Sequence, residues 1–441
     1  MANSTTSKDL DVKPSGHFRV LHTADWHLGK MLGEHSREEE HLRFLKFLLE
    51  AIQKYSIEVL VIAGDVFDSA NPPQSAVAQY YNFLSALFRQ GGCSVVIVAG
   101  NHDSPAHLEA PRQILNALGA HVVGALSGSR ADLLVPLPTP NSPQLVVAAV
   151  PFLRDRDLRR GLSGQGAAEI QQELIQGITR CYREVAEAAR DWTAKGVPLL
   201  ATGHLTVAGS QTSDSEREIH IGGLGAVGAD CFPEAFSYVA LGHLHRAQTA
   251  GKRETVCYSG SPIPLSFSEA GDRKELRVLD FAQGRLVQQF ALNIPLSRRL
   301  TQIRSKRDAL EISLKEFQSS SGELPGWVEV VVEDPLAGEN ISDVVQELVK
   351  GRDFEVIRVL GKRETPLSGM SAAGKDEGIE QLLGDPSKVF AHRLEAEPAL
   401  SDEDRVALKL VFQELCNLHA EQQRGETVAG PPSNQKLGGQ A

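Results

Sequence analysis

From Phe18 onward the chain repeats one pattern: a short unbroken run of Val, Ile, Leu and Ala, a polar turn, then a stretch with helical periodicity. "FRVLHTAD" precedes a helical stretch from about Arg37 to Lys54, "IEVLVIAGD" one from about Gln74 to Arg89, and "CSVVIVAGN" one from about Ala106 to Leu118. Continuous rather than alternating apolar strands are expected where both faces of a sheet are covered, so the pattern predicts a layered α/β domain. Further strands are predicted at "LVVAAVPF" (145–152), "VPLLATGH" (197–204), "YVALGHLH" (238–245), "ETVCYSGSP" (254–262) and "ELRVLDF" (275–281), which carries the domain over residues 17–282.

Beyond Gln283 the texture changes. "RLVQQFALNIP" leads to a charged helix predicted from about Ser305 to Phe317, then Gly/Ser/Pro punctuation, a strand "WVEVVVED", a helix "ISDVVQELVK" and a strand "FEVIRVLG". This reads as a separate, smaller α/β domain over 283–365. Residues 366–423 form a linker and a helical tail, in which Ser401 caps a helix and Leu408, Phe412, Leu415 and Leu418 share one face. Residues 1–16 and 424–441 are compositionally disordered.

Length and charge narrow the picture. At 441 residues, two or three domains are expected. No apolar run approaches the roughly 20 residues of a membrane span, and the N-terminal stretch lacks signal-peptide order. Five scattered cysteines (Cys93, Cys181, Cys231, Cys257 and Cys416) form no CxxC pair, which argues for a reducing, cytoplasmic setting and against a thiolate zinc site. The net charge of −11 argues against coating nucleic acid by bulk electrostatics. The last 75 residues, with 12 acidic and 7 basic side chains, carry −5 of it. Two basic runs, "RDRDLRR" (154–160) and "SRRLTQIRSKR" (297–307), read as solvated helix faces before they read as a nucleic-acid patch.

The chemistry gathers at the strand ends: "ADWH" (24–27), "GDVFD" (64–68), "GNHD" (100–103), "GH" (203–204) and "GHLH" (242–245). Each alone is compatible with a turn. Together, in a sheet whose ligands bind beyond the carboxyl ends of its strands, they aim Asp25, His27, Asp65, Asn101, His204, His243 and His245 into one crevice. Carboxylate, imidazole and amide oxygen without thiolate suit Mn²⁺, Fe²⁺ or Zn²⁺. Seven ligands exceed the needs of one ion and match two ions sharing a carboxylate, an arrangement suited to in-line displacement at phosphate. Glycines at 64, 100, 203 and 242 let backbone approach closely. His22, His41, His107, His121, His220, His392 and His419 lie outside this pattern and read as packing or surface residues.

The series D-x-H, G-D-x-x-D, G-N-H-D, G-H, G-H-x-H resembles the calcineurin-like metallophosphoesterase superfamily. More narrowly, "HTADWHLGK", "GDVFDSANPP", "GNHDSP", "IHIGG" and "ALGHLH" resemble the SbcD family of bacterial nuclease subunits, over about residues 18–265. The resemblance implies a four-layer β-sandwich flanked by helices, with a smaller α/β capping domain and a C-terminal helical tail. It implies two Mn²⁺ ions and ATP-stimulated cleavage of double-stranded DNA ends and hairpins in DNA repair, recombination and replication. The implied partner is an SbcC-type ATPase of the SMC/Rad50 kind, with two copies of each chain in a nucleoid-associated heterotetramer. Residue by residue, it places Asp25, His27, Asp65 and His245 around one metal, and Asp65, Asn101, His204 and His243 around the other. His102 becomes the acid at the leaving oxygen, and Asp103 the residue that orients His102. Some relatives carry histidine where this chain has Asp68, so no second catalytic imidazole is carried over and Asp68 is read as a structural or orienting carboxylate. The competing function is a metallophosphatase acting on a nucleotide, a small phosphoester or a phosphoprotein, since the same centre serves all of these. A non-catalytic scaffold should have lost ligands, and none is missing.

Overall fold

The computed structural model describes residues 12–110, 112–158, 167–216, 226–318, 323–335, 339–362, 386–395 and 402–423. The "IHIGG" motif (219–223), both termini and the linker before residue 386 lie outside the described residues.

The first half of the chain runs β1 (Phe18–Thr23), β2 (Met31–Leu32), β3 (His35–Ser36), α1 (Glu38–Lys54), β4 (Val59–Ala63), α2 (Gln74–Gln90) and β5 (Ser94–Val98). Two short helices follow, α3 (Pro105–Glu109) and α4 (Arg112–Ala117), then β6 (Ala120–Val123). The single helix expected over 106–118 is thus two; they flank Pro111, whose ring nitrogen has no proton to donate to a continuous helix. Next come β7 (Leu134–Leu137), β8 (Leu145–Ala148), α5 (Asp155–Leu158), α6 (Ala167–Ala188), α7 (Arg190–Thr193), β9 (Leu199–His204) and β10 (Phe236–Gly242). The body closes with β11 (Gln248–Thr249), β12 (Val256–Tyr258), β13 (Glu275–Ala282) and β14 (Arg285–Asn293).

These strands form two six-stranded sheets, in the orders β14-β13-β1-β4-β5-β6 and β11-β12-β10-β9-β8-β7. Their unbroken apolar runs serve two cores at once. On β4, Val59 and Val61 face the second sheet, while Leu60 and Ile62 face α1 and α2 with Phe44, Leu48, Phe83 and Leu84. Leu174, Ile178, Tyr182 and Val185 of α6 pack with the residues of the second sheet. The result is four layers, helix–sheet–sheet–helix, with each buried Val, Leu or Ile contributing about 1.5–3 kcal/mol. Strand β14 lies past the boundary expected at residue 282, yet it pairs antiparallel with β13 along its whole length. The first sheet therefore continues to Asn293.

A third, three-stranded parallel sheet follows, with β15 (Leu300–Lys306), β16 (Gly326–Glu333) and β17 (Phe354–Lys362) in that order, covered by α8 (Leu310–Glu316) and α9 (Ile341–Leu348). The charged helix expected from Ser305 is instead the end of strand β15, a turn and the short α8. Along β15 only Leu300 and Ser305 are buried, so its exposed Arg304 and Lys306 masked the strand signal. Arg298, in the same basic run, is buried where the small sheet meets the body. Its guanidinium lies 4.1 Å from the Trp327 ring centroid, and its Nε donates to Glu40 Oε1 at 2.9 Å. Arg37 donates to the same oxygen at 2.8 Å and lies 5.5 Å from the same ring. A last helix pair, α10 (Pro386–Glu395) and α11 (Asp402–Gln423), stacks Phe390 on Phe412 at 4.0 Å. Phe412 is thereby used within the pair, Leu408 and Leu415 are exposed, and the Leu418 side chain lies outside the described residues. Among the described residues no helix is long and apolar enough to cross a membrane.

Candidate metal centre

The carboxyl ends of β1, β4 and β5 from one sheet and of β9 and β10 from the other meet at one edge of the sandwich. There the chain accepts unusual backbone. Asp25, His27, Asp65 and His243 have φ of 54°, 48°, 49° and 95°, a left-handed region that non-glycine residues adopt at a cost and that clusters at functional sites. Cross-links hold these turns. Asp25 N–H donates to Gly64 O and His27 N–H to Asp65 O, both at 3.0 Å. Gly64 itself has φ of 96°, and a Cβ there would collide with the His204 ring.

Asp65 sits at the centre. Its Oδ2 lies 3.5 Å from His27 Nε2 and 3.3 Å from His204 Nε2, and its Oδ1 accepts the His102 amide at 2.9 Å. Three overlapping groups have ligand atoms within 4.8 Å of one another: Asp25 with His27 and His245, His27 with Asp65 and His102, and Asp25 with Asp65 and His204. The structure thus gathers Asp25, His27, Asp65, His204 and His245, and adds His102. Asn101 joins through its Oδ1, 3.0 Å from His204 Nε2. His243 donates its amide to Asp25 Oδ1 at 2.8 Å and has its ring 5.5 Å from that of His204.

The donor set fits divalent cations. Asp25 Oδ2 and His27 Nε2 are buried with no hydrogen-bond partner, a costly arrangement unless something else binds there. His204 Nδ1 faces the carbonyl of Ala63 at 3.0 Å, so Nδ1 carries the proton and the Nε2 lone pair converges with those of Asp65 Oδ2 and Asn101 Oδ1. Acceptors aimed at one another need a positive charge between them. Burial, against the pull of His204 and His245, pushes the Asp25 carboxyl up to about 7. Burial opposes charge on His204 too, yet the Asp65 carboxylate raises it to about 9. Asp65, despite the same burial, is held well below the usual carboxylate range by His204 and His102.

The Asp103 carboxylate accepts the amides of Val66 at 3.2 Å, Phe67 at 2.9 Å and Gly100 at 2.9 Å, tying the Asp65 turn to the Asn101 turn. His102 Nδ1 lies 2.7 Å from the carbonyl oxygen of Asp68, whose carboxylate meets His27 Nδ1 and Lys30 Nζ, each at 3.1 Å. Asp68 therefore holds two of the site's histidines. Sequence reasoning also missed Ser215, Glu216, Glu269 and Lys274, which surround His245. They lie up to 59 positions apart in loop-like segments with no motif spacing.

Comparison with known proteins places the chain in a family. The family model described as calcineurin-like phosphoesterase matches residues 18–247. The SbcD subunit of the SbcCD nuclease of Escherichia coli K12 is 37% identical over 380 residues, covering 86% of this chain and 93% of the relative. The chain belongs to the calcineurin-like phosphoesterase family, in its SbcD branch. Other SbcD relatives include the subunit of Rhodobacter capsulatus, 40% identical over 65% of this chain and 71% of its own, and that of Bacillus subtilis, 37% identical over 60% and 67%. A second family model, described as the Type 5 capsule protein repressor C-terminal domain, matches residues 297–397, which include the small sheet of this phosphoesterase. A solved dimetal phosphatase from Danio rerio aligns with 63% of this chain and 99% of its own, at 15% identity and a TM-score of 0.36.

Proposed function

We propose that this chain is the nuclease subunit of an SbcCD-type complex, a metal-dependent hydrolase of DNA phosphodiester bonds. The observation that carries the reading is the position of Asp65 Oδ2 between His27 Nε2 and His204 Nε2, where one carboxylate can serve two ions. Asp25, His27, Asp65 and His245 would hold the first ion, and Asp65, Asn101, His204 and His243 the second. Bound as a pair, with Mn²⁺ favoured by the oxygen and imidazole donors, they supply charge compensation for the phosphate and activation of the attacking water.

The remaining steps belong to the chain. The strained turns hold the acceptors in place before substrate arrives, so little reorganisation accompanies reaction. His102 Nδ1 donates to the Asp68 carbonyl, so in the imidazolium form Nε2 is the atom that passes its proton to the departing oxygen and is left with a lone pair. Asp103 keeps the two ligand-bearing turns in register. The Arg37–Glu40–Arg298 joint seats the small sheet on the body, and the division into a phosphoesterase body, a capping unit and a helical tail gives DNA a second surface to rest on. At a net charge of −11, the two ions and the partner ATPase supply much of the attraction for DNA. The SbcD relatives are named as subunits of an SbcCD nuclease, which supports an SbcC-type ATPase as that partner; two copies of each chain in the assembly, and work on double-stranded ends and hairpins in the cytoplasm, complete the proposal.

The test offers the purified chain linear double-stranded DNA, a DNA hairpin and a chromogenic phosphomonoester in Mn²⁺, with and without the partner ATPase and ATP. Degradation of DNA, faster with partner and ATP, is expected. Hydrolysis of the monoester with intact DNA would move the centre to the phosphatase class.

A further inference from the structure

The environment of His245 goes beyond any ligand set. Three of its polar atoms are each engaged by a separate group. The amide donates to Glu216 Oε1 at 2.7 Å. The carbonyl oxygen accepts the Ser261 amide at 3.1 Å and Lys274 Nζ at 3.0 Å. Nδ1 lies 2.6 Å from Ser215 Oγ and 3.3 Å from Glu269 Oε1, and Ser215 Oγ also bonds that Glu269 oxygen. Glu269 is wholly buried; its other oxygen meets Lys274 Nζ at 2.5 Å, Ser261 Oγ at 3.2 Å and the Leu265 amide at 3.2 Å. Lys274 is 3% exposed and has its remaining contacts in the same cluster.

A buried ion pair is a poor device for stability alone, since its desolvation offsets most of its attraction. This one is built around one ring. A carboxylate behind a metal-binding imidazole fixes its tautomer and rotation and strengthens the opposite nitrogen as a donor. We propose that Glu269, itself locked by Lys274, is a positioning residue that presents His245 Nε2 to its metal ion. Ser215 relays the contact, and Glu216 and Lys274 fix the backbone on either side of the ring. The inference rests on the two-ion centre proposed above.

Calorimetric titration of Mn²⁺ into the full chain, stripped of metal by a chelator, tests it. Uptake of two equivalents by the unsubstituted chain establishes the parent reading; no uptake overturns that reading and this inference with it. In the double variant Glu269→Gln/Lys274→Met, which removes both buried charges together, one equivalent is expected to bind about 10–100-fold more weakly while the other is unchanged. Its metal-free melting temperature is expected to stay within a few degrees of the parent. Unchanged affinity for both equivalents in the folded variant overturns the proposal and leaves the metal centre intact. Should the double variant fail to fold, Glu269→Asp keeps the charge beside Lys274 and withdraws the oxygen from Nδ1; a selective loss of one equivalent supports the proposal, and unchanged binding overturns it.

Discussion

The mixed sheets of the body and the parallel small C-terminal sheet both have helices laid on them, yet they treat their strand ends in opposite ways. In the body, the carboxyl ends bury Asp25, His27, Asp65, His102, His204, His243 and His245, four of them on left-handed backbone. In the small sheet the carboxyl ends carry ordinary surface chemistry, such as Arg307 paired with Glu339. Among the described residues, every group of His, Asp and Glu that could hold a metal lies in the body. A shared layer type therefore says little about activity; what separates the two regions is whether buried polar atoms remain without partners. The body gives up stability for reactive geometry, and the small sheet contributes a surface and a seat.

The largest effect should come from the centre of the body. Asp65→Asn removes the carboxylate shared by both candidate ions, so DNA cleavage is expected to fall to background, measured by release of acid-soluble nucleotide in Mn²⁺. Second is His102→Gln. It is expected to retain two equivalents of Mn²⁺ and to lose about 10²–10⁴-fold in cleavage rate; loss of metal would make His102 a ligand instead.

The site was legible in the sequence for a physical reason. A small residue, Gly or Ala, followed by a polar side chain after an unbroken apolar run is a local signal, and five repetitions of it located the crevice. The partners of those side chains were not legible, because the fold brings them from loops with no periodicity of their own. The backbone partners of Asp103 were hidden for a related reason: adjacency in the chain points to His102 and not to the buried amides of Val66, Phe67 and Gly100, which its carboxylate accepts. The small sheet was partly misread because the end of β15, Arg304–Ser305–Lys306, sets a small residue between two charges, which helical periodicity accommodates equally well. The end of the body was drawn before β14 because its apolar run is interrupted by Gln288 and Gln289 and its Val287 is exposed.

Two smaller effects sharpen the contrast. Trp327→Ala opens the joint beneath Arg37 and Arg298 and is expected to cost about 3–5 kcal/mol, read in calorimetry as earlier melting of the small sheet with Mn²⁺ binding by the body unchanged. Equal loss of metal binding would mean that the two regions are one unit. The smallest effect is a pH dependence of the body. Burial first, and then a nearby arginine in each case, lowers both His22 and His41 to about 3, so these histidines are neutral in the fold and protonated when the chain unfolds in mild acid. Their folded values lie below the unfolded one, so the contribution is fully present above about pH 6.5 and is lost as the pH falls towards 3, at up to about 1.4 kcal/mol per unit for each. Denaturant unfolding at pH 7.5 and 5.5 should show this slope, and His22→Gln should flatten it.

Everything proposed for the crevice between the sheets depends on one carboxylate, that of Asp65, joining two ions. Anomalous diffraction from crystals soaked in Mn²⁺ tests it most directly. Two peaks flanking Asp65 are expected, one bounded by Asp25, His27 and His245 and the other by Asn101, His204 and His243, with His102 facing both and bonded to neither. A single peak, or one bonded to His102, would contradict the account.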